Sequence, residues 1–392
     1  MKILYIHQDR KLSTGAHYVN DILVKGLKQA GIDVENVYPE EDLPYFHPLL
    51  KGIRNILFFF SLIERKKDIA SYDIIQGTTY TPLAFLHSNI PVFSIFGSTS
   101  FGFLKAVPNS RALSKENSEL LNIFNELKER GIFSFSGSFV QPVKDISRIE
   151  IHTAKNSRKV IATSQTVKSE LIKNGVPQEK IAVVWNGIEN FWFKAKIKKR
   201  IKENAAIVYL GRMGESGFTI KLKGINRMIY VLRHFPNLEK IVIGLTEKED
   251  IYSQVFQEIP KTIFYPNMKR KLVPKILKKN YGDIFINPSR YEGFCLSLVE
   301  AMSQGLIPIS FPVGVAPEII KNGQNGFLVN SVRQMVYRIN QLSQDKEKRA
   351  RMARASFETA KMFKAEVMVK KYLELYQSEL LPSSENRVLD KK

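Results

Sequence analysis

The residues most able to do chemistry lie between positions 288 and 311, in the segment PSRYEGFCLSLVEAMSQGLIPISF. Two glutamates, Glu292 and Glu300, stand at the start of an apolar helical pattern that follows a predicted strand. This places both carboxylates near the carboxyl edge of a parallel sheet, where α/β folds bind ligands. The backbone N–H groups of residues 294–297 would face an anion there. The arrangement fits a sugar diphosphate, whose hydroxyls donate to carboxylates and whose phosphate oxygens accept from amides.

The glutamate pair also has a structural interpretation. Glu292 could stabilise the helix start by its charge alone, and Glu300 could lie on a solvated helix face. The neighbours of Glu300 argue against this, because Val299 and Ala301 belong to a mostly apolar helix. Burying a carboxylate without a partner is costly. We therefore favour ligand binding for both residues.

A second set of polar residues lies in VYLGRMGESGFTIKLKG, residues 208–224. A predicted strand ends at Gly211, and Arg212 and Lys223 follow it. Glycine lets the backbone approach a ligand closely, arginine offers a planar fork of donors, and lysine offers a point charge. A departing diphosphate needs such cations, because negative charge builds on it as the bond breaks. A surface loop with solvated cations is the alternative for this segment.

Short apolar runs alternate with helix-length segments along the chain. In the first half, the runs are KILYI, DIIQ, VFSIF, KVIAT and IAVVWNG. In the second half, they are AAIVYLG, KIVIGL, TIFYP, DIFINPS and LIPISF. This alternation predicts an α/β fold with two Rossmann-like parallel-sheet domains facing a cleft.

Two longer stretches lie outside this alternation. Residues 97–158 carry Gly and Ser clusters and one amphipathic helix with Leu120, Phe124 and Leu127, and we interpret the stretch as a substrate-facing excursion. Residues 332–380 are predicted to be helical and charged.

Composition indicates a globular protein of a reducing compartment. The chain has 392 residues, 44% of them hydrophobic, which suggests two domains with cores of their own. The single cysteine, Cys295, cannot form an internal disulfide. The longest apolar run, residues 56–63, is shorter than the ~20 residues of a membrane span, and the start shows no signal-peptide core. We therefore predict a cytoplasmic location.

The net charge of +21 is concentrated in the second half of the chain. Such a field attracts nucleic acid, anionic lipid and nucleotide diphosphates alike. Residues 48–67 and 269–280 combine apolar and basic residues as interfacial helices do. Helices that pack on a sheet and expose a cationic outer face have the same sequence pattern. We therefore give equal weight to two interpretations of these segments, peripheral binding to the inner face of the cell membrane and ordinary packing.

Three segments together resemble the retaining glycosyltransferases of family 4, which have the GT-B fold. They are IATSQTVKSELIKNGVPQEKIAVVWNGIE, LGRM followed by LKG, and SRYEGFCLSLVEAMSQGLIPISFPVGVAPEIIKNGQNGFLV. The resemblance covers residues 159–189 and most of the second half. It implies transfer of a hexose from a nucleotide-diphosphate sugar to an acceptor hydroxyl with retention of configuration. Cell-surface glycan or glycolipid assembly is the implied setting, with a glycan, lipid or protein acceptor. We expect no metal or cofactor, because the sequence has no D-x-D and its histidines lack ligand spacing.

Carried over position by position, the resemblance assigns Arg212 and Lys223 to the donor phosphates, Glu292 to the donor sugar and Glu300 to the nucleotide ribose. In the first loop, only Gly15 matches the family's glycine pair. The implied catalytic residues are Glu292, Arg212 and Lys223. The implied donor-binding residues are Gly15, Gly211, Arg212, Lys223, Glu292, Gly293, Phe294, Cys295, Leu296 and Glu300.

One departure concerns the acceptor side, where many family members have a histidine after the strand that VFSIF resembles. This chain has Phe96 and Gly97 there. The resemblance implies front-face chemistry, in which the departing phosphate takes the proton of the acceptor.

The basic stretch FWFKAKIKKRIKENA lies between the runs IAVVWNG and AAIVYLG, so we place the domain junction near residues 188–204. Residues 1–190 would form an acceptor-side domain, 191–204 a linker and 205–360 the nucleotide-sugar donor domain. Residues 361–392 would form a helix that crosses back to the first domain, followed by a frayed tail.

Two other functions stay open: a nucleic-acid-binding protein, suggested only by charge and not expected, and a catalytically inactive sugar-binding protein.

Overall fold

Two parallel sheets form the framework of the computed structural model, which describes residues 1–9, 15–39, 54–134, 140–194 and 200–380. The strands of the first sheet are β1 (Lys2–Ile6), β2 (Asp33–Val37), β3 (Ile74–Thr78), β4 (Val92–Phe96), β5 (Lys159–Ala162) and β6 (Ile181–Val183). The strands of the second sheet are β7 (Ile207–Arg212), β8 (Lys240–Leu245), β9 (Thr262–Pro266), β10 (Ile284–Asn287), β11 (Ile307–Ser310) and β12 (Phe327–Leu328).

The strand orders are β2-β1-β3-β4-β5-β6 and β12-β11-β10-β7-β8-β9, and neighbouring strands run parallel. The central strands are buried along their length, as expected for sheets covered on both faces. The predicted architecture of two parallel-sheet domains is therefore confirmed.

The helices between the strands cover the sheets. Those before β7 are α1 (Gly15–Gln29), α2 (Arg54–Ser61), α3 (Ser100–Ala106), α4 (Ser110–Glu116), α5 (Ser118–Glu129), α6 (Val140–Asn156), α7 (Gln165–Lys173) and α8 (Phe191–Lys194). Those after β7 are α9 (Gly217–Lys223), α10 (Ile225–Arg233), α11 (Glu249–Gln257), α12 (Val273–Leu277), α13 (Leu296–Met302), α14 (Ala316–Ile319), α15 (Val332–Ser343), α16 (Lys346–Ala360) and α17 (Ala365–Leu380).

Two strands have no counterpart in the sequence prediction. β2 lies at the edge of the first sheet and reads DVENV, so only Val34 and Val37 supply apolar side chains. β12 lies at the edge of the second sheet and has two residues. Edge strands have fewer neighbours to pack against, and their sequences carry a weaker apolar signal.

The role of the stretch 97–158 as a substrate-facing excursion stays a prediction, and the structure shows how its described part is folded. Its described residues form α3 to α6, and α5 packs on the second sheet's helix α10. The predicted apolar face is buried in the core of the second sheet and contains Leu120, Phe124 and Leu127. Asn226 on α10 donates to the Leu120 carbonyl at 3.0 Å. A large part of the stretch is therefore packing structure that belongs to the other sheet.

The C-terminal helix α17 returns to the first sheet. It packs against α1, where a Cβ atom on Gly26 would lie 2.3 Å from Val369 Cγ2. The Tyr376 hydroxyl donates to Gln76 on β3 at 2.6 Å. The limits of the domains, at residues 190, 205 and 360, stay predictions.

A buried carboxyl group joins α6 to α3 in the first domain. Glu150 is 6% exposed and accepts from the Ser100 backbone N–H at 2.9 Å and hydroxyl at 3.0 Å. Burial raises the pKa of Glu150 to about 7, although both bonds from Ser100 act in the other direction. The carboxyl thus holds a proton in the folded chain at a pH at which an unfolded glutamate has lost it.

This pKa predicts a pH-dependent stability. Between about pH 4.3 and 7 the folded chain binds more protons than the unfolded chain, so the free energy of unfolding falls as the pH rises through that interval. Glu150→Gln should remove the dependence, with little change at pH 4 and a gain on the order of 1 to 3 kcal/mol at pH 8. Urea unfolding at both pH values tests this, with the exposed Glu129→Gln as control. An equal effect of Glu150→Gln at the two pH values would contradict the assignment.

Candidate active site

The candidate residues come together because two neighbouring strands end at the same edge of the second sheet. β7 ends at Arg212, and β10, its parallel neighbour, leads into the loop 288–295 that precedes α13. Arg212 is exposed at this edge, and the Tyr209 hydroxyl donates to its carbonyl at 3.1 Å. A Cβ atom on Gly211 would lie 2.9 Å from the same hydroxyl oxygen.

Lys223 and Glu292 are in direct contact. The Lys223 Nζ donates to both carboxylate oxygens of Glu292, at 2.8 and 3.0 Å. The Ser289 hydroxyl donates to the Glu292 Oε1 at 2.8 Å. Both side chains of the ion pair are largely buried, at 22% and 17% exposure, so part of each remains accessible to solvent.

The local backbone fixes this contact. Gly224 follows Lys223 with φ +64°, and a Cβ atom there would lie 2.1 Å from the Pro288 carbonyl oxygen. Only glycine fits both the left-handed conformation and this close approach. The end of α9 is therefore pressed against the loop after β10, and Lys223 faces Glu292 as a result.

The same loop contacts the first domain through Gly293. A Cβ atom on Gly293 would lie 1.7 Å from the Gly97 carbonyl oxygen, and the Ser164 hydroxyl donates to the Gly293 carbonyl at 2.6 Å. Beside it, Tyr291 accepts from the Thr99 backbone N–H at 3.0 Å. Gly97, which stands near the position of the expected acceptor-side histidine, is thus adjacent to the loop that carries Glu292.

The next three residues lead into α13. Phe294 is buried, and its carbonyl accepts from the Val315 N–H at 2.9 Å. Cys295 is buried with φ +80°, and burial raises its thiol pKa to about 12, so the thiol stays protonated. Leu296 contacts the first domain, because a Cβ atom on Gly15 would lie 2.7 Å from Leu296 Cδ1. Gly15 and the start of α13 are therefore neighbours.

Glu300 lies inside α13 and is 4% exposed. The Arg270 Nη1 is 2.5 Å from the Glu300 Oε1, and Arg270 also donates two bonds of 2.8 Å to Glu189. The guanidinium lies over the rings of Tyr18 and Trp192, with its Cζ 4.7 and 5.3 Å from their centroids. We call these five residues the Arg270 cluster. Burial raises the pKa of Glu300, and Arg270 opposes that shift.

Comparison with known proteins gives the family. The sequence matches the model described as Glycosyltransferase Family 4 over residues 14–190 and the model described as Glycosyl transferases group 1 over residues 190–359. The chain belongs to the family 4 (group 1) glycosyltransferases. The predicted resemblance is thereby confirmed over nearly the whole chain.

One relative of this glycosyltransferase is an uncharacterized 41.2 kDa protein in the cps region of Klebsiella pneumoniae, 29% identical over 191 residues. The match covers 46% of this chain and 50% of the relative, so the chain spans about half the length of that protein.

Solved structures show the same GT-B fold. Sucrose-phosphate synthase from Thermosynechococcus elongatus superposes with a TM-score of 0.73 at 15% identity, covering 96% of this chain and 98% of that chain. Anabaena HepE in complex with UDP and glucose gives 0.66 at 19% identity, covering 96% and 100%. In the part of the chain that the structure describes, no helix is long and apolar enough to cross a membrane.

Sequence reasoning missed the partners of Glu300 in this glycosyltransferase. A carboxylate in an apolar helix implies a buried cation, but no spacing rule points to Arg270, which lies in the segment 269–280 interpreted only by its charge. Tyr18, Glu189 and Trp192 come from other parts of the chain. The roles of the predicted site residues in binding and catalysis stay predictions.

The Glu300–Arg270 pair should be strongly coupled. Arg270→Met leaves the buried carboxylate without its cation and should lower the free energy of unfolding by about 3 to 5 kcal/mol. Adding Glu300→Gln to that variant should restore a large share of the loss, because the more deeply buried of the two carboxylates left without Arg270 is then neutral. Urea unfolding of the two single variants and the double variant measures the coupling. Strictly additive effects would show that the pair is not coupled.

Proposed function

We propose that the protein transfers a hexose from a nucleotide-diphosphate sugar to an acceptor hydroxyl with retention of configuration. The observation that carries the proposal is the Lys223–Glu292 pair, held at the carboxyl edge of the second sheet beside residues of the first domain. A cation and a carboxylate at one sheet edge suit a ligand with a phosphate next to a sugar. The division into an acceptor-side domain, residues 1–190, and a donor domain, residues 205–360, belongs to this proposal.

In this proposal Lys223 and Arg212 bind the diphosphate. The Lys223 ammonium has three N–H donors, so it can bond a phosphate oxygen and retain a bond to Glu292. Arg212 is exposed at the end of the neighbouring strand, where its planar fork can match phosphate oxygens. Both cations stabilise the charge that develops on the departing diphosphate.

Glu292 orients the donor sugar and stabilises positive charge at the anomeric carbon. The bond from the anomeric carbon to the diphosphate oxygen breaks, and the acceptor oxygen bonds to the same face of that carbon. The acceptor proton moves to the departing phosphate oxygen, and the products are a glycoside and a nucleoside diphosphate. This front-face step needs no second protein base.

Glu300 and the residues around it are proposed to hold the nucleotide. A carboxylate accepts two hydrogen bonds from a ribose diol when it is ionised, and the adjacent Arg270 favours the ionised form. Gly15 lets the first domain approach the start of α13, where the phosphates would lie. HepE was solved with UDP and glucose, which makes UDP-glucose the first donor to test.

Substitutions at the ion pair test the proposal. Glu292→Ala should abolish transfer, because no other group then orients the sugar. Lys223→Ala and Arg212→Ala should each weaken donor binding by roughly 1.5 to 3 kcal/mol, the contribution of a hydrogen bond to a charged group. Turnover and calorimetric titration of UDP-glucose and UDP measure the two effects.

Lys221→Ala is the matched control, since Lys221 lies on the same helix with its Nζ over the Phe124 ring at 4.7 Å. It should leave donor affinity nearly unchanged. Wild-type turnover in Glu292→Ala, or equal donor affinity in Lys221→Ala and Lys223→Ala, would reject the assigned roles.

A peripheral contact with the inner face of the cell membrane also belongs to the proposal. Three apolar side chains on α2 and the turn after it are exposed, namely Leu57 at 45%, Phe60 at 58% and Ile63 at 44%. They lie in the segment 48–67, of which residues 48–53 are outside the described part. In the other basic segment, 269–280, Val273 and Leu277 are buried and Leu272 is 41% exposed, so most of its apolar surface serves ordinary packing.

Liposome sedimentation tests the membrane contact. At low salt the protein should bind phosphatidylglycerol vesicles more strongly than phosphatidylcholine vesicles, because its net charge is +21. Phe60→Ser should reduce the binding several-fold, whereas Tyr337→Ser, which removes an equally exposed ring elsewhere, should not. Equal partitioning to both lipids, or equal effects of the two variants, would count against this contact.

A further inference from the structure

A cavity adjoins the Glu292 loop, and its lining includes none of the residues assigned to the donor. Its volume is about 410 Å³, within the range of small-molecule sites. Ser289 and Arg290 after β10, residues 311–313 after β11 and Asn330 after β12 form one wall. The opposite wall contains Pro108, from the connection between α3 and α4. We call this space the Arg227 cavity, after the arginine of α10 that lines it.

The sheet order separates this cavity from Arg212 and Arg270, two of the residues placed around the donor. β12, β11 and β10 lie on one side of the second sheet, while β7, β8 and β9 lie on the other. Arg212 follows β7 and Arg270 follows β9, so both belong to the side away from the cavity. Ser289 links the two regions, because it lines the cavity and donates to Glu292 at 2.8 Å. A molecule in the cavity would thus approach Glu292 from the side opposite the nucleotide.

The charges in the cavity are unbalanced. Glu116 is bonded by Arg227 Nε at 2.5 Å and by Arg290 Nη2 at 2.9 Å, so one carboxylate faces two guanidinium groups. Burial alone would raise the pKa of Glu116, but the two arginines hold it below its ordinary value. At neutral pH the group therefore carries two positive charges and one negative charge.

The arginines are held in place by other contacts. Arg290 is 4% exposed and its Nη1 donates to the Lys221 carbonyl at 2.8 Å and to Asn226 at 3.1 Å. Arg227 is 11% exposed, and its guanidinium lies 3.9 Å from the centroid of the Phe311 ring. Such fixed, desolvated guanidinium groups bind an anion with little loss of conformational freedom.

We propose that the Arg227 cavity binds a phosphate group of the acceptor, an inference that rests on the proposed transferase function. The phosphate pairs with the excess positive charge of Arg227 and Arg290. The Ser289 hydroxyl and the Asn330 amide add neutral hydrogen-bonding partners for the hydroxyl groups of a sugar or polyol. The reacting hydroxyl of the acceptor then points toward Glu292. The phosphate can belong to a sugar phosphate or to a phospholipid headgroup, which offer the same chemistry.

Binding experiments in the presence of saturating UDP test this site. Glucose 6-phosphate is compared with glucose, and phosphatidylglycerol vesicles are compared with phosphatidylcholine vesicles, in both cases by titration. Arg227→Gln should weaken binding of the phosphate-bearing probe about tenfold or more, as expected for a lost charge-assisted bond. Glu116→Gln should tighten it, because the cavity then has two cations and no anion. The exposed Arg351→Gln, which also removes one positive charge, should change nothing.

The outcomes separate this inference from the proposed function. Opposite shifts in Arg227→Gln and Glu116→Gln support the site, since misfolding cannot produce both, and the probe that responds identifies the source of the phosphate. The assignment is overturned if all variants bind UDP but none binds a phosphate-bearing probe. It is also overturned if all variants bind UDP and the wild type and Arg227→Gln bind the probe equally. Failure of the wild-type protein to bind UDP or any other nucleoside diphosphate would instead contradict the proposed function.

Discussion

The contact between Gly293 and Gly97 is the constraint on which the rest of the site depends. The backbone of the Glu292 loop lies so close to the Gly97 carbonyl that no side chain fits at residue 293. This single approach brings the first domain to the carboxyl edge of the second sheet. It also places Thr99 beside Tyr291 and Ser164 beside the Gly293 carbonyl, so the loop is held by bonds from the first domain. The carboxylate of Glu292 is thus positioned by both domains.

Two different electrostatic arrangements follow on either side of this loop. On one side, the Arg270 cluster places one cation between the carboxylates of Glu300 and Glu189, beside two aromatic rings. On the other side, the Arg227 cavity has more positive than negative charge. Lys223 and Glu292 lie between them as a balanced pair. The excess of positive charge therefore lies on the side where a phosphorylated acceptor is proposed to bind.

The sequence predicts the fold well because both sheets are parallel and buried. All five predicted strands of the second half are present. Their runs of Val and Ile are typical of strands that are buried on both faces of a parallel sheet. The polar edge strand β2 and the two-residue strand β12 escape prediction because they bury few side chains.

Within the site, motif spacing identifies Glu292 and Lys223, which the structure brings into contact. Arg270, Arg227 and Glu116 are out of reach of sequence reasoning, because each is defined by a partner between 30 and 180 residues away whose position depends on the completed fold. From a single sequence, an arginine on an exposed helix cannot be distinguished from an arginine that neutralises a buried carboxylate. Tertiary packing alone distinguishes them.

The packing of α5 on α10 has a consequence for how the two halves of the molecule move. Helix α5 belongs in sequence to the first domain but packs on the second, so the chain passes between the halves before it reaches the segment joining β6 to β7. A molecule tethered at several points cannot swing freely about one joint. Each further crossing of the chain therefore limits how far the two halves can separate.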